Sequence, residues 1–154
     1  MPCSIDAARG LDCLGVGGVD KLYLANFNSV SAITEANGTV SAIALTGSST
    51  FYEYEVPQES TNFGQTPNVN RTNFTIFYQH NLSFTLAGYD GSTADHLNNI
   101  TKSKMIGLVL TNSGEYYLLG RDKGLMVSGG EGGSGVASGD LYGQTLTLES
   151  AEPS

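Results

Sequence analysis

Only two histidines, His80 and His96, offer a side chain that moves protons near neutral pH. His80 lies in an alternating apolar stretch and His96 in a stretch with helical spacing. A lone histidine in either setting is more often packed or solvated than catalytic. No serine sits in a Gly-x-Ser-x-Gly elbow, the strained turn that presents a nucleophile. Cys3 and Cys13 are the only cysteines, too few for a structural zinc site and not spaced as Cys-x-x-Cys. Free thiols are the default for them, with a disulfide holding the N-terminal arm as the alternative. Asp90-Gly91-Ser92 and Gly139-Asp140 carry oxygens that suit calcium, but no spaced set of further ligands accompanies them. Gly130-Glu131-Gly132-Gly133-Ser134-Gly135 matches Gly-x-Gly-x-x-Gly literally. A dinucleotide site needs a strand before that pattern and a helix after it, and Val136-Ala137-Ser138-Gly139-Asp140 is a poor helix. Glu53 and Glu55 share one face of a strand pattern and are the nearest thing to paired carboxylates. These residues predict no catalytic constellation, no cofactor and no metal, hence a protein that is not an enzyme.

The elements that would hold these groups are mostly strands. Residues 1–20 read as an arm ending in a glycine-rich turn. Strands are expected over Lys21–Asn26, Ser29–Thr34 and Thr39–Leu45, the last two joined by Asn37-Gly38, a strong hairpin signal. Thr50–Val56 alternates, with Tyr52, Tyr54 and Val56 facing one way and Phe51, Glu53 and Glu55 the other. A long strand or bent pair runs from Asn73 to Leu86, with Phe74, Ile76 and Tyr78 and then Leu82, Phe84 and Leu86 on one side. Between these lie residues 57–72, polar and interrupted by Pro57, Gly64 and Pro67; a loop of this length usually has a task. One helix is expected over Ser92–Lys102, capped by Ser92 with Asp95 three residues on, and packed through Leu97 and Ile100 with His96 and Asn99 outward. Met105–Thr111 reads as a short central strand, Asn112-Ser113-Gly114 as a turn into Glu115–Gly120, and Gly124–Ser128 as another strand. A glycine-rich loop, 129–142, precedes the last strand, Gly143–Ser150. The expectation is one domain over 1–154: about nine strands in an antiparallel all-β sandwich or barrel with one short flanking α-helix.

Composition narrows the partners. Seven basic and fifteen acidic residues give a net charge of −8, which disfavours tight nucleic-acid binding. Between Leu22 and Asn70, and again from Leu125 onward, there is no lysine or arginine. Charged residues are 14% of the chain, low enough for a surface largely covered by neighbours. No apolar run reaches the length of a membrane span, and the N-terminus lacks the pattern of a signal peptide, so no membrane partner and synthesis in a cytoplasm are expected.

From Thr50 onward the order of features resembles phage major tail-tube proteins. The residues that carry this are the Tyr/Glu strand, the long polar segment, the paired strand, the helix, Asn112-Ser113-Gly114-Glu115-Tyr116-Tyr117-Leu118-Leu119-Gly120, Gly124-Leu125, and Ser138–Leu148. Asp12-Cys13 with Gly17-Gly18-Val19-Asp20-Lys21-Leu22-Tyr23-Leu24 is similar to the starts of structural proteins in phages of Bacteroidetes. The resemblance implies a virion tail protein made in the host cytoplasm, whose partners are copies of itself and other tail proteins. Its subunits form hexameric rings that stack into a tube, through which double-stranded DNA passes without specific binding. In that setting 57–72 is the assembly loop, with Pro57, Gln58, Phe63, Gly64, Pro67, Asn70 and Arg71 as contact candidates, and Glu53 and Glu55 are candidates for the lumen wall. Two rival readings share the composition: another virion β-protein (head–tail completion, decoration or baseplate subunit), and a carbohydrate-binding fibre module using its Tyr and Phe faces.

Overall fold

The computed structural model describes residues 8, 10, 15–88, 91–140 and 142–153. Cys3, Cys13 and most of the expected arm lie outside them. The fold is all-β and antiparallel with one short helix: two four-stranded sheets packed face to face and a separate two-stranded hairpin.

The first sheet has the order β4-β1-β7-β8, from Tyr52–Tyr54, Val19–Asn26, Met105–Thr111 and Tyr116–Leu119. The second has the order β5-β6-β10-β9, from Asn62–Asn70, Thr75–Ala87, Gly143–Glu152 and Met126–Gly133. Strands β2 (Val30–Ala36) and β3 (Thr39–Leu45) form the free-standing hairpin, and α1 spans Gly91–Lys102. Asn37 and Gly38 take φ of 52° and 77°, the two left-handed residues that close a two-residue hairpin with the twist of its strands.

Alternation puts Leu22 and Leu24 of β1, Met105 and Val109 of β7, Leu82 and Phe84 of β6, and Leu146 and Leu148 of β10 between the sheets. Leu119 and Leu125 complete this core. Gly107 interrupts β7 because a Cβ there would come within 2.9 Å of Leu125 Cδ1. The core leucines of both sheets meet over that gap. Phe63 and Tyr117, 5.0 Å apart, close the β5/β8 side of the sandwich. The helix closes the other side: Ile100 is buried in the core and Leu97 packs on it half-exposed. Ile100→Ala should therefore cost about 2–4 kcal/mol in denaturant melts, and Leu97→Ala clearly less, since part of its surface is already in water.

Three expectations are corrected. Residues 57–72 are not a loop. After a turn at 57–61, Asn62–Asn70 is strand β5, paired with β6 from Asn62↔Ser83 to Asn70↔Thr75. Its side chains are polar because its outer face is solvated, and Pro67 is tolerated because β5 is an edge strand. The glycine-rich segment 129–142 is likewise half strand, since β9 continues to Gly133 opposite β10. Backbone pairing needs no side chain, and at Gly130 a Cβ would stand 2.5 Å from the Thr145 carbonyl oxygen. Strand β5 brings the strands among the described residues to ten, against about nine expected. The helix also starts at Gly91, which puts Ser92 in its first turn rather than at the cap. Asp90 lies outside the described residues.

Candidate assembly surfaces

The β5–β6 hairpin is longer than the sheet that supports it. Strand β10 pairs with β6 only from Tyr78 to Ala87, so Asn68↔Phe77, Val69↔Ile76 and Asn70↔Thr75 project beyond the third strand. The projecting part keeps the core's alternation: Val69 continues the face of Phe63, and Ile76 that of Leu82. Neither joins the core among the described residues, and Val69 is 60% exposed and Ile76 55%. The turn is tied by Asn70, whose Oδ1 accepts the N–H groups of Thr72 (3.0 Å) and Asn73 (3.1 Å). Phe74 follows with φ of 55° and 95% exposure. A bulky side chain in the left-handed region is strained, and here no burial offsets it. With Arg71, these residues line a shallow concavity at the tip.

The expected contact residues separate on this frame. Asn70 and Arg71 are at the tip. Phe63 is half-buried against the core and Gly64 sits beside it in β5, so both serve the fold. Pro67 lies one pair inside the projecting part, and Pro57 and Gln58 lie in the exposed turn before β5. Phe74 and Ile76, expected together on one side of a strand, are exposed at the tip with Val69. Their alternation is that of a core strand, and nothing in it marks where the opposing sheet ends.

Glu53 and Glu55 are exposed, as expected, but Glu53 lies 3.7 Å from Lys21 of β1. Much of its charge is balanced locally, and Glu55 carries the excess. On the other face of β4, Tyr54 packs on Phe84 and Val56 on the core, whereas Tyr52 is 58% exposed. His96 is exposed on α1 but leans back onto β4. Its Nε2 lies 2.9 Å from Tyr54 Oη, with the rings stacked 5.6 Å apart. Burial, and then the neighbouring Tyr52, hold the Tyr54 phenol above its ordinary pKa. This contact pins the helix to the sheet edge.

The second histidine belongs to a buried polar group. His80, Ser150 and Glu152 are 6%, 7% and 0% exposed. Ser150 Oγ donates to Glu152, and the same carboxylate accepts the backbone N–H groups of Asp122 (2.9 Å) and Lys123 (3.1 Å). The serine proton thus goes to the carboxylate, not to the imidazole, and the group ties the 121–124 turn to β10. Burial lowers the His80 pKa, and the Glu152 charge partly opposes that. The Gly130–Gly135 pattern lies in β9 and the loop after it, with no helix following. In that loop the Asp140 carboxylate accepts the N–H groups of Val136 (3.0 Å) and Ala137 (2.8 Å), which lowers its pKa. Among the described residues no group of three or more His, Cys, Asp or Glu is placed to hold a metal ion, and no helix is long and apolar enough to cross a membrane.

A third surface lies on the outside of the first sheet. The β2–β3 hairpin stands beside the outer face of β7 and β8, and an ion pair between Glu35 of β2 and Arg121 of the β8–β9 turn ties it there. Between them runs a groove of about 990 Å³. No family model, no curated protein and no solved structure matches this chain.

Proposed function

We propose that this chain is a structural subunit that works by self-assembly, of the kind that forms hexameric rings stacked into the tube of a phage tail, and that it catalyses no reaction. The observation that carries this reading is the projecting β5–β6 tip, where Val69, Phe74 and Ile76 are exposed together and Phe74 is held in a strained conformation. Clustered apolar exposure of this kind marks an interaction site, and strained residues concentrate at sites that bind or switch. The edge strands β5 and β8, which no other strand pairs on their outer side, offer further sites for pairing between subunits. The low charge of the chain suits faces that neighbours cover. Other tail proteins would be its remaining partners, and the virion tail its location.

The test is direct. The purified chain should form rings or tubes visible by negative-stain microscopy, with sedimentation that rises steeply with concentration. A chain that stays monomeric at every concentration sinks the proposal.

Under this reading the charged half of the first sheet, β1 and β4, faces the channel, where acidic side chains keep phosphate from lodging. Glu53→Lys with Glu55→Lys should leave tubes intact in moderate salt. DNA release should slow, most at low ionic strength where fixed charges are least screened. Ejection rates that do not change at low salt, from correctly assembled particles, would place both glutamates away from the DNA.

A further inference from the structure

The tip and the groove complement each other. The tip offers Val69, Phe74 and Ile76 around Arg71, the only lysine or arginine between Leu22 and Thr101. Among the described residues Arg71 has no ion pair. The groove is walled by Val40 and Ile43 of β3 on one side and by Leu108, Tyr116 and Leu118 on the other. Tyr116 is 59% exposed, an aromatic ring open to solvent over most of its surface. The acids of the groove are Glu35, already paired with Arg121, and Glu115, whose Oε2 accepts the Tyr117 hydroxyl at 2.8 Å. Glu115 has no cation partner among the described residues, so the groove has an unpaired acid where the tip has an unpaired base. At about 3.3 Å per residue the three projecting pairs reach roughly 10 Å, enough to enter a groove one hairpin deep.

We infer that the β5–β6 tip of one copy docks in the groove between the β2–β3 hairpin and the outer face of β7–β8 on the next copy, with Phe74 beside Tyr116 and Arg71 opposite Glu115. The occupant is a second copy of this chain because the tip supplies apolar side chains to match the groove's apolar walls and a cation to match its unpaired acid. None of residues 69–77 of the same copy lines the groove. Tip-to-tip pairing is disfavoured, since it sets two Arg71 side chains together with no acid in the turn. Tip and groove are different surfaces, so the contact is head-to-tail and propagates from subunit to subunit until a ring closes or a stack grows. The inference rests on the assembly reading and adds the pair of surfaces that carries it.

The experiment mixes two broken halves. Phe74→Glu with Ile76→Glu disables the tip, and Tyr116→Arg disables the groove by placing a charge where the Phe74 ring would dock. All three side chains are exposed, and unchanged circular dichroism melts confirm that both variants fold. At a concentration where the unmodified chain assembles fully, each variant alone should sediment as a monomer. Loss of one anchor should raise the concentration needed for assembly roughly thirty-fold. An equimolar mixture should give a heterodimer and nothing larger, because one intact tip meets one intact groove and no further pair remains. Arg71→Glu and Glu115→Arg should each weaken assembly and together restore it. Normal assembly of the Tyr116→Arg chain, or a mixture that stays monomeric, overturns the docking while leaving self-assembly standing. An unmodified chain that never assembles overturns both.

Discussion

Phe74→Asn should make the isolated chain more stable and its assembly weaker. The two effects share one cause. Phe74 holds φ at 55°, which costs a residue with a Cβ about 1–2 kcal/mol, and asparagine, whose side chain tolerates this region, relieves part of that. The ring is 95% exposed, so removing it forfeits almost no packing within the subunit. Denaturant melts should show a gain of several tenths to about 1 kcal/mol. Sedimentation of the same protein should show the assembled fraction falling, because the ring is the largest apolar group at the tip. A merely decorative Phe74 would give the gain without the loss. If Phe74→Asn instead destabilises the monomer, the ring packs on its own chain and the tip is not an interface. A wholesale exchange of 57–72 for a short linker is no equivalent test. It removes β5, takes Phe63 away from the core beside Leu82, and should unfold the domain.

Glu152→Ala should be among the most destabilising single changes in the chain. The carboxylate is fully buried and accepts the N–H groups of Asp122 and Lys123 as well as the Ser150 hydroxyl. Truncation strands those donors, at about 1–3 kcal/mol for each one that water cannot reach. Asp122 and Lys123 are exposed enough for water to recover part of this, which brings the expected loss to about 3 kcal/mol. The 121–124 turn carries Arg121, so its release also loosens the Glu35 pair and the β2–β3 hairpin. Assembly should fall with stability if the groove wall is part of the interface. The neighbouring His80 adds a pH signature. Its folded-state pKa is lowered, chiefly by burial, so the unfolded chain binds its proton first as pH falls. The stability this gives is fully present above the ordinary histidine pKa and is lost as pH falls toward the lowered value. Thermal melts should show Tm dropping as pH falls from about 7.5 to about 5.5, across the ordinary pKa near 6.5. His80→Asn should flatten that drop, and an unchanged profile in the variant would assign the acid sensitivity elsewhere.

Much of this architecture is legible in the residues because local rules and the final packing agree. Asn37-Gly38 makes a hairpin wherever it is flanked by alternating residues, and it does so here. Met105–Thr111 is apolar up to its last residue, as a strand covered on both faces must be, and it is central in its sheet. Leu97 and Ile100 recur at helical spacing and meet the core. In each case the deciding energy is carried by neighbours in sequence, or by burial that the residue type already requires.

Tertiary context decided the rest. Asn62–Asn70 has the polarity of a loop, and β6 makes it a strand by presenting an unpaired ladder of backbone groups. Gly129–Gly133 carries one side chain, Glu131, and so has nothing to alternate, and its pairing with β10 leaves no pattern to read. Phe74 and Ile76 carry the signature of a core strand, and they are exposed because the opposing sheet stops short of them. Alternation records which side chains share a face. Whether anything covers that face depends on a strand distant in sequence, or on a second copy of the chain, and neither leaves a mark in the local order of residues.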